Sequence, residues 1–380
     1  MERFNKSRVI LMPCRDYDEE EIYRQLQAGI RLLGGLEGLI EKREKILLKP
    51  NLVRKAEVDR AVITHPAVMG ALARILREEG YENIICGDSC GIGTASRTMA
   101  GTGMERQMEK YGIPVTDFSH PVKVDYPQGH QAKQFVIAQD ALDADAIINV
   151  CKMKTHALER VTGAVKNMYG CVCGLQKAKG HTLYPNAESF ARMLIDLNQL
   201  LKPRLYLMDG IVAMEGNGPT SGDPVKMGVM LLSADPIALD AVFCRLVDLD
   251  PQMVPTNVHG MQYGLGTWKT EEIEVFTPDG EVSMEEAVSR WGNPGYRVDR
   301  EKYGKNIWNA LKALKIFQKK PYIVEEKCRR CGICVESCPV EGKAVTFKNG
   351  RENIPVYNYR KCIRCFCCQE MCPHKAIEVK

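Results

Sequence analysis

Between Cys328 and Cys372 the chain repeats one cysteine spacing: Cys328-Arg-Arg-Cys331-Gly-Ile-Cys334-Val-Glu-Ser-Cys338-Pro339, then Cys362-Ile-Arg-Cys365-Phe-Cys367-Cys368-Gln-Glu-Met-Cys372-Pro373. Both copies fit CxxCxxCxxxCP. Nine of the sixteen cysteines of the 380-residue chain fall in this stretch. A disulfide framework of such density needs an oxidising compartment. The start, MERFNKSRVILMPC, has one short apolar run followed by acidic residues and does not read as a secretory signal. Metal binding is therefore the better reading of the cysteines. No apolar stretch approaches the roughly 18 residues of a membrane span, so the cytoplasm is the expected location.

Three closely spaced thiolates can wrap one iron–sulfur cubane, while a fourth, held by its Pro turn, reaches the neighbouring one. The spacing predicts two [4Fe-4S] clusters. Cys328, Cys331, Cys334 and Cys372 would hold cluster 1; Cys362, Cys365, Cys368 and Cys338 would hold cluster 2. A single CxxC would also suit zinc, but two complete copies ending in Cys-Pro are hard to read as a pair of zinc knuckles. The pattern resembles bacterial two-cluster ferredoxins across residues 321–380, and the resemblance implies a small α+β ferredoxin-like domain carrying single electrons. Cys367 departs from it: the extra thiol is either a small buried hydrophobe or an alternative to Cys368 as ligand.

Charge follows the same division. Residues 321–380 hold eleven Lys/Arg against seven Glu and no Asp, so the whole net charge of +4 resides there. Two oxidised clusters with four thiolates each would bring about −2 apiece and cancel it. The excess lacks the density and aromatic interleaving of a nucleic-acid surface, and no nucleic-acid partner is expected.

Residues 1–270 alternate strand-like and helix-like segments. Ser7–Pro13, Lys45–Val53, Asn83–Asp88, Ala144–Val150, Leu205–Asp209 and Met227–Ser233 read as strands; His65–Gly80, Glu188–Leu201 and Pro236–Val247 read as helices. This alternation predicts an α/β domain, a mostly parallel sheet with flanking helices. Residues 271–320 read as an extension with a strand-like IEVF and a basic helix near Lys305–Lys320, linking to the small domain at 321–380.

Ligands of such sheets bind beyond the carboxyl ends of the strands. Four polar clusters fall there, KPNLV, GDSCGIG, CKMKTH and DGIVAMEGNGP, and they are expected to converge on one cleft. Lys152, Lys154 and His156 alternate along an extended segment and share a face. Lys166 and Asn167 fall near the start of a helix, whose terminus favours anions. With Lys49 they suit a small anionic substrate. Lys154, His156 and Lys166 are the catalytic candidates; Lys49, Asp88, Lys152, Asn167, Asp209 and Glu215 are candidates for binding a substrate or cofactor. Asp209 and Glu215, around a flexible Gly loop, could bind a metal, act as acid or base, or cap turns. Cys151, Cys171 and Cys173, with His156 or His181, leave room for an additional metal or small cofactor in the α/β domain, although structural thiols are the simpler reading. GDSCGIG lacks the Lys-Ser/Thr of a P-loop and does not spell GxGxxG, so no nucleotide or flavin signature is present.

The motifs Lys49-Pro50-Asn51, Thr64-His65-Pro66, Lys152-Met153-Lys154-Thr155-His156, Thr162 through Gly170, and Asp209-Gly210 followed by Glu215-Gly216-Asn217-Gly218-Pro219 resemble the domain-of-unknown-function 362 family over roughly residues 8–260. The resemblance implies a fold and a site but no established reaction. His156 through Gly174 is also similar to the nickel-pincer lactate racemase family in its histidine followed by a Gly-rich, lysine-containing segment, which adds an organometallic cofactor to the candidates. The expected function is a cytosolic iron–sulfur reductase that exchanges electrons with a redox partner protein. The alternatives are an electron-transfer subunit that docks a partner oxidoreductase, and an isomerase or lyase with structural or regulatory clusters.

Overall fold

The computed structural model describes residues 6–301 and 319–380, apart from residues 92 and 349. The basic helix expected over Lys305–Lys320 falls, up to residue 318, outside the described residues.

Aliphatic runs buried on both faces form the sheet, as parallel strands covered by helices require. In chain order these are β1 (Ser7–Pro13), β2 (Ile46–Pro50), β3 (Ile84–Gly87) and β4 (Val115–Thr116). A separate hairpin of β5 (Pro121–Asp125) and β6 (Gln134–Ala138) follows. Then come β7 (Ala146–His156), β8 (Arg160–Thr162), β9 (Leu205–Glu215), β10 (Asp223–Ser233), β11 (Ile273–Thr277) and β12 (Gly280–Val282). The strand order is β12-β11-β1-β10-β9-β7-β2-β3-β4, with β8 paired to the end of β7. From β9 to β4 all neighbours are parallel, as are β1 and β11, whereas β10 runs antiparallel to both its neighbours. The fold is thus α/β, a mostly parallel mixed sheet with flanking helices.

Side-chain alternation divides the core. Ile148 and Val150 of β7 join one apolar layer under the helices Glu19–Leu32 and Pro66–Glu78; Ile147, Cys151 and Met153 face the opposite layers, under Ala187–Leu201 and Pro236–Leu246. Each helix starts where a side chain takes up a free amide. Asp18 accepts from Glu21 N, His65 from Ala67 N just before Pro66, Asn186 from Ser189 N, and Asp235 from Ile237 N and Ala238 N.

Two expectations need correction. The sheet does not stop at residue 270, because Ile273–Thr277 adds a parallel strand beside β1. DGIVAMEGNGP is not a loop from its start: the apolar stretch Ile211–Met214 carries β9 on to Glu215, paired with Asp223 of β10. CKMKTH forms the last residues of β7, which ends at His156 as expected.

The C-terminal module pairs β13 (Pro321–Ile323) with β16 (Ile377–Val379), and β14 (Val345–Thr346) with β15 (Val356–Tyr357). Its duplication repeats in the backbone. Arg330 and Arg364 adopt φ of 55° and 60°, and Gly332 and Phe366 adopt 84° and 61°, each pair at matching places in the two copies. These left-handed turns precede one-turn helices, Ile333–Glu336 and Cys367–Glu370.

Candidate functional site

Cys328, Cys331, Cys334 and Cys372 surround one hollow, with Ile323, Ala376 and Ile377 filling in between. Cys338, Cys362, Cys365 and Cys368 surround a second, with Val340, Val345 and Phe366. Four thiols per hollow fit the donor set of a [4Fe-4S] cluster. Amide donors to sulfur recur in both copies: Ala344 N to Cys338 Sγ and Ala376 N to Cys372 Sγ, each at 3.3 Å. The Tyr357 hydroxyl donates to Cys368 Sγ at 3.1 Å. Cys367 borders neither hollow. It faces a third cavity, of about 540 Å³, between the module and the α/β domain.

That cavity gathers Lys49, Asp88, Lys166 and Asn167 on the side of the sheet, and Cys367, Glu370 and Met371 on the side of the module. Lys49, at the end of β2, pairs with Asp88 Oδ1 at 2.9 Å, and Asp88 Oδ2 accepts from Leu52 N. A Cβ on Gly170 would collide with both Lys49 and Asp88, so this close approach needs glycine. Asn167 Nδ2 donates to Asn149 Oδ1 at 2.7 Å. Lys177, which sequence reasoning did not single out, donates to the Ser89 carbonyl, and burial lowers its pKa. Among the described residues, the Lys166 ammonium has no hydrogen-bond or ion-pair partner. The buried Nδ1 of His181 has none either, and burial holds that imidazole at about 4.

The remaining candidates lie elsewhere. Lys152 donates to Asp209 Oδ2 at 2.7 Å and to the Tyr17 hydroxyl at 2.8 Å, in a buried network where Tyr17 stacks on His65. Lys154 donates to Val62 O at 2.9 Å, and burial drives its pKa well down. Glu215 binds Arg297 at 2.8 Å, away from the cavity. His156 stands behind Glu370, with Nε2 2.9 Å from Glu370 Oε1. Its Nδ1 accepts from Leu158 N and Glu159 N, so the neutral ring carries its proton on Nε2, facing the carboxylate. Burial pushes the Glu370 carboxyl up, but Lys166 and His156 outweigh it and hold it well below the usual range.

The helix start expected to bind an anion is already occupied. Asp240 accepts from Ala164 N at 2.7 Å and Val165 N at 3.2 Å, and burial raises its carboxyl to about 7. Cys151 packs in one apolar layer and Cys171 and Cys173 in another. Among the described residues of the α/β domain, no three His, Cys, Asp or Glu side chains converge to hold a single metal ion.

The module is docked in part by the motif at residues 215–219, for which the sequence suggested no such role. Gln369 Nε2 donates to the carbonyls of Asn217 and Gly218 at 2.9 and 3.0 Å, Thr220 Oγ1 to Glu370 O at 2.6 Å, and Asn217 Nδ2 to Ile377 O at 2.9 Å. The segment EGNGP therefore serves as a ledge for the module.

Burial also sets a pH dependence. His65, His156 and His181 each titrate near 4 in the fold, chiefly because burial disfavours the charged ring, and near 6.5 when unfolded. Between those values the unfolded chain holds more protons, so this stability is complete above about pH 6.5 and is lost as pH falls towards 4. Asp240, raised by burial, works in the opposite direction over part of that window. The contribution of His65 is isolated with His65→Asn, which keeps a helix cap but does not titrate. The wild-type urea midpoint should fall relative to the variant between about pH 7 and 5; parallel curves would refute the assignment.

No described helix is long and apolar enough to cross a membrane. A domain of unknown function, DUF362, matches residues 46–245, and a 4Fe-4S dicluster domain matches residues 320–373. The thylakoid-associated protein sll1697 of Synechocystis sp. is 32% identical over 264 residues, covering 69% of this chain and 81% of that protein. Among solved structures, the lactate racemase apoprotein from Thermoanaerobacterium thermosaccharolyticum aligns with a TM-score of 0.42 at 16% identity, over 63% of this chain and 56% of that one. A Thermotoga maritima protein aligns with a TM-score of 0.36 at 14% identity, over 59% and 57%. The chain thus spans little more than half of either solved chain, and likenesses this distant carry no chemistry across. The protein belongs to the DUF362 family, as an iron–sulfur member that joins this domain to a 4Fe-4S dicluster domain.

Proposed function

We propose that the protein is an iron–sulfur reductase whose substrate, a small anionic molecule or cofactor, binds in the cavity between the two domains. The observation that carries this reading is the pairing of walls: the unpartnered Lys166 enters from one side, and the Cys367–Met371 turn of the second cysteine motif closes the other. Bound clusters supply one-electron transfer.

The chain's own residues bind and orient. Lys166 offers a charged donor to a carboxylate or phosphate. His181, neutral at physiological pH, lines the cavity with its Nδ1 buried. Glu370, fixed by His156, restricts which part of an anion can approach the module. The cavity's volume of about 540 Å³ suits a small molecule and lies within the usual range for ligand sites. The same space could take the additional small cofactor that the residues allow. Sixteen thiols suit a reducing compartment such as the cytoplasm. A docking scaffold without chemistry gives no reason for an unpartnered lysine at this cavity.

The test uses protein reduced anaerobically with dithionite, freed of excess and mixed with a panel of small carboxylates and phosphates that each carry a reducible group (an activated C=C, a carbonyl, an N–O bond or a disulfide) as electron acceptor, while cluster absorbance reports reoxidation. At least one anion should accelerate reoxidation. Lys166→Ala should slow that reaction roughly 10- to 100-fold, the worth of a charge-assisted hydrogen bond of about 1.5–3 kcal/mol, with iron content unchanged. Equal rates in the variant for every anion would sink the assignment.

A further inference from the structure

We infer that the exposed side of the first cysteine motif is a docking surface for an acidic electron-carrier protein, gripped by Arg329, Arg330 and Arg351. The inference rests on reading the clusters as an electron path, as in the proposed function.

The two hollows differ in access. Among the sixteen cysteines only Cys331 is exposed and only Cys328 is partly so; Cys338, Cys362, Cys365 and Cys368 of the second hollow are all buried. Both motifs line the interdomain cavity, the first through Ile333, Glu336 and Ser337 and the second through Cys367, Glu370 and Met371, but only the first leaves a cysteine exposed on its other side. A protein partner therefore meets the module at the first hollow.

The rim of that hollow is basic. Arg329 and Arg330 line it and are exposed, and no acidic side chain lines it. Among the described residues neither guanidinium has an ion-pair or hydrogen-bond partner. Arg351 is exposed beside Gly332, where an added Cβ would meet its Nη2 at 3.6 Å, and it lies over the Phe347 ring. Glu325, Glu326 and Glu352 are exposed neighbours in sequence, but they stand off the hollow itself. Three of the module's lysines are engaged elsewhere: Lys327 with Glu378, Lys375 with Gly222 O, and Lys343 with Cys338 O. The three guanidinia, none of them in an ion pair among the described residues, exceed the formal charge of about −2 of a four-thiolate cluster. Guanidinium groups take carboxylates in paired hydrogen bonds, and such a patch steers an acidic partner to one orientation.

The probes are oxidised flavodoxin, an acidic carrier, and oxidised cytochrome c, a basic one, so that binding is read by calorimetry on the cluster-loaded protein without electron transfer. Flavodoxin should bind, and its affinity should fall as ionic strength rises from about 0.01 to 0.15 M, where the screening length shrinks from roughly 30 to 8 Å. The charge reversal R329E/R330E/R351E should weaken flavodoxin at least tenfold and strengthen cytochrome c. Iron content and the visible spectrum report whether the module stays intact, and R329Q/R330Q serves as the milder variant if it does not. Exchange rates from the reduced protein to each carrier should follow the same order. Flavodoxin binding indifferent to salt and to both variants overturns the inference. Lys166→Ala should leave carrier binding unchanged, so the cavity reading and the docking reading can fail separately.

Discussion

Cys368→Ser should lower the iron content of anaerobically purified protein from roughly eight atoms per chain to about four, the difference of one cluster, while Cys367→Ser leaves it unchanged. Cys368 faces the hollow shared with Cys338, Cys362 and Cys365, and its sulfur accepts the Tyr357 hydroxyl bond. Cys367 faces the interdomain cavity. Successive residues on a helix point about 100° apart, so Cys368 takes the place in the hollow while the Cys367 thiol lies beside it, hydrogen-bonded to Cys365. Colorimetric iron and sulfide assays decide the matter. Iron lost in Cys367→Ser but kept in Cys368→Ser would exchange the two roles.

Lys152→Met should destabilise the α/β domain by roughly 3–5 kcal/mol, since it leaves the carboxylate of Asp209 buried without its cation. Against the usual 5–15 kcal/mol of total stability, that is a large share. Exchanging both partners, as Lys152→Met with Asp209→Leu, should recover most of it, because two well-packed apolar groups can replace a buried pair. Urea midpoints by circular dichroism provide the measurement. An unchanged midpoint in the single variant would mean that the pair contributes no such coupling. The contrast with Lys166→Ala is informative. Lys152 is wholly engaged with Asp209 and Tyr17, so its loss should show in stability; Lys166 makes no hydrogen bond or ion pair among the described residues, so its loss should show chiefly in anion reactivity.

The strands and helices were largely legible. β1 occupies the expected Ser7–Pro13, and the helices Ala187–Leu201 and Pro236–Leu246 end within a residue of their expected ends. Apolar periodicity and capping side chains are local signals and act within a few residues. The lysines of KMKTH show where local reading stops. Parity along β7 correctly places Lys152, Lys154 and His156 on one side of the strand, but it does not tell depth or neighbour. One meets Asp209, the next Val62 O, and the last Glu370, from three distant parts of the chain. The start of the helix at Ala164 looked open to an anion, because Asp240, 76 residues further on, leaves no trace nearby.

From the amino acids alone followed the cysteine sets proposed for the two clusters and the α/β character of the rest, because thiol spacing, Pro turns and apolar repeats bear on structure over a few residues. Only the tertiary structure decided which polar side chains face a shared cavity. It also showed that Cys367 turns towards that cavity and that EGNGP supports the module. Those outcomes depend on contacts such as Gln369 with Gly218 and Thr220 with Glu370, about 150 residues apart in sequence. A polar residue destined for such a contact has the same local pattern as one left in water, so nothing short of the folded chain separates them.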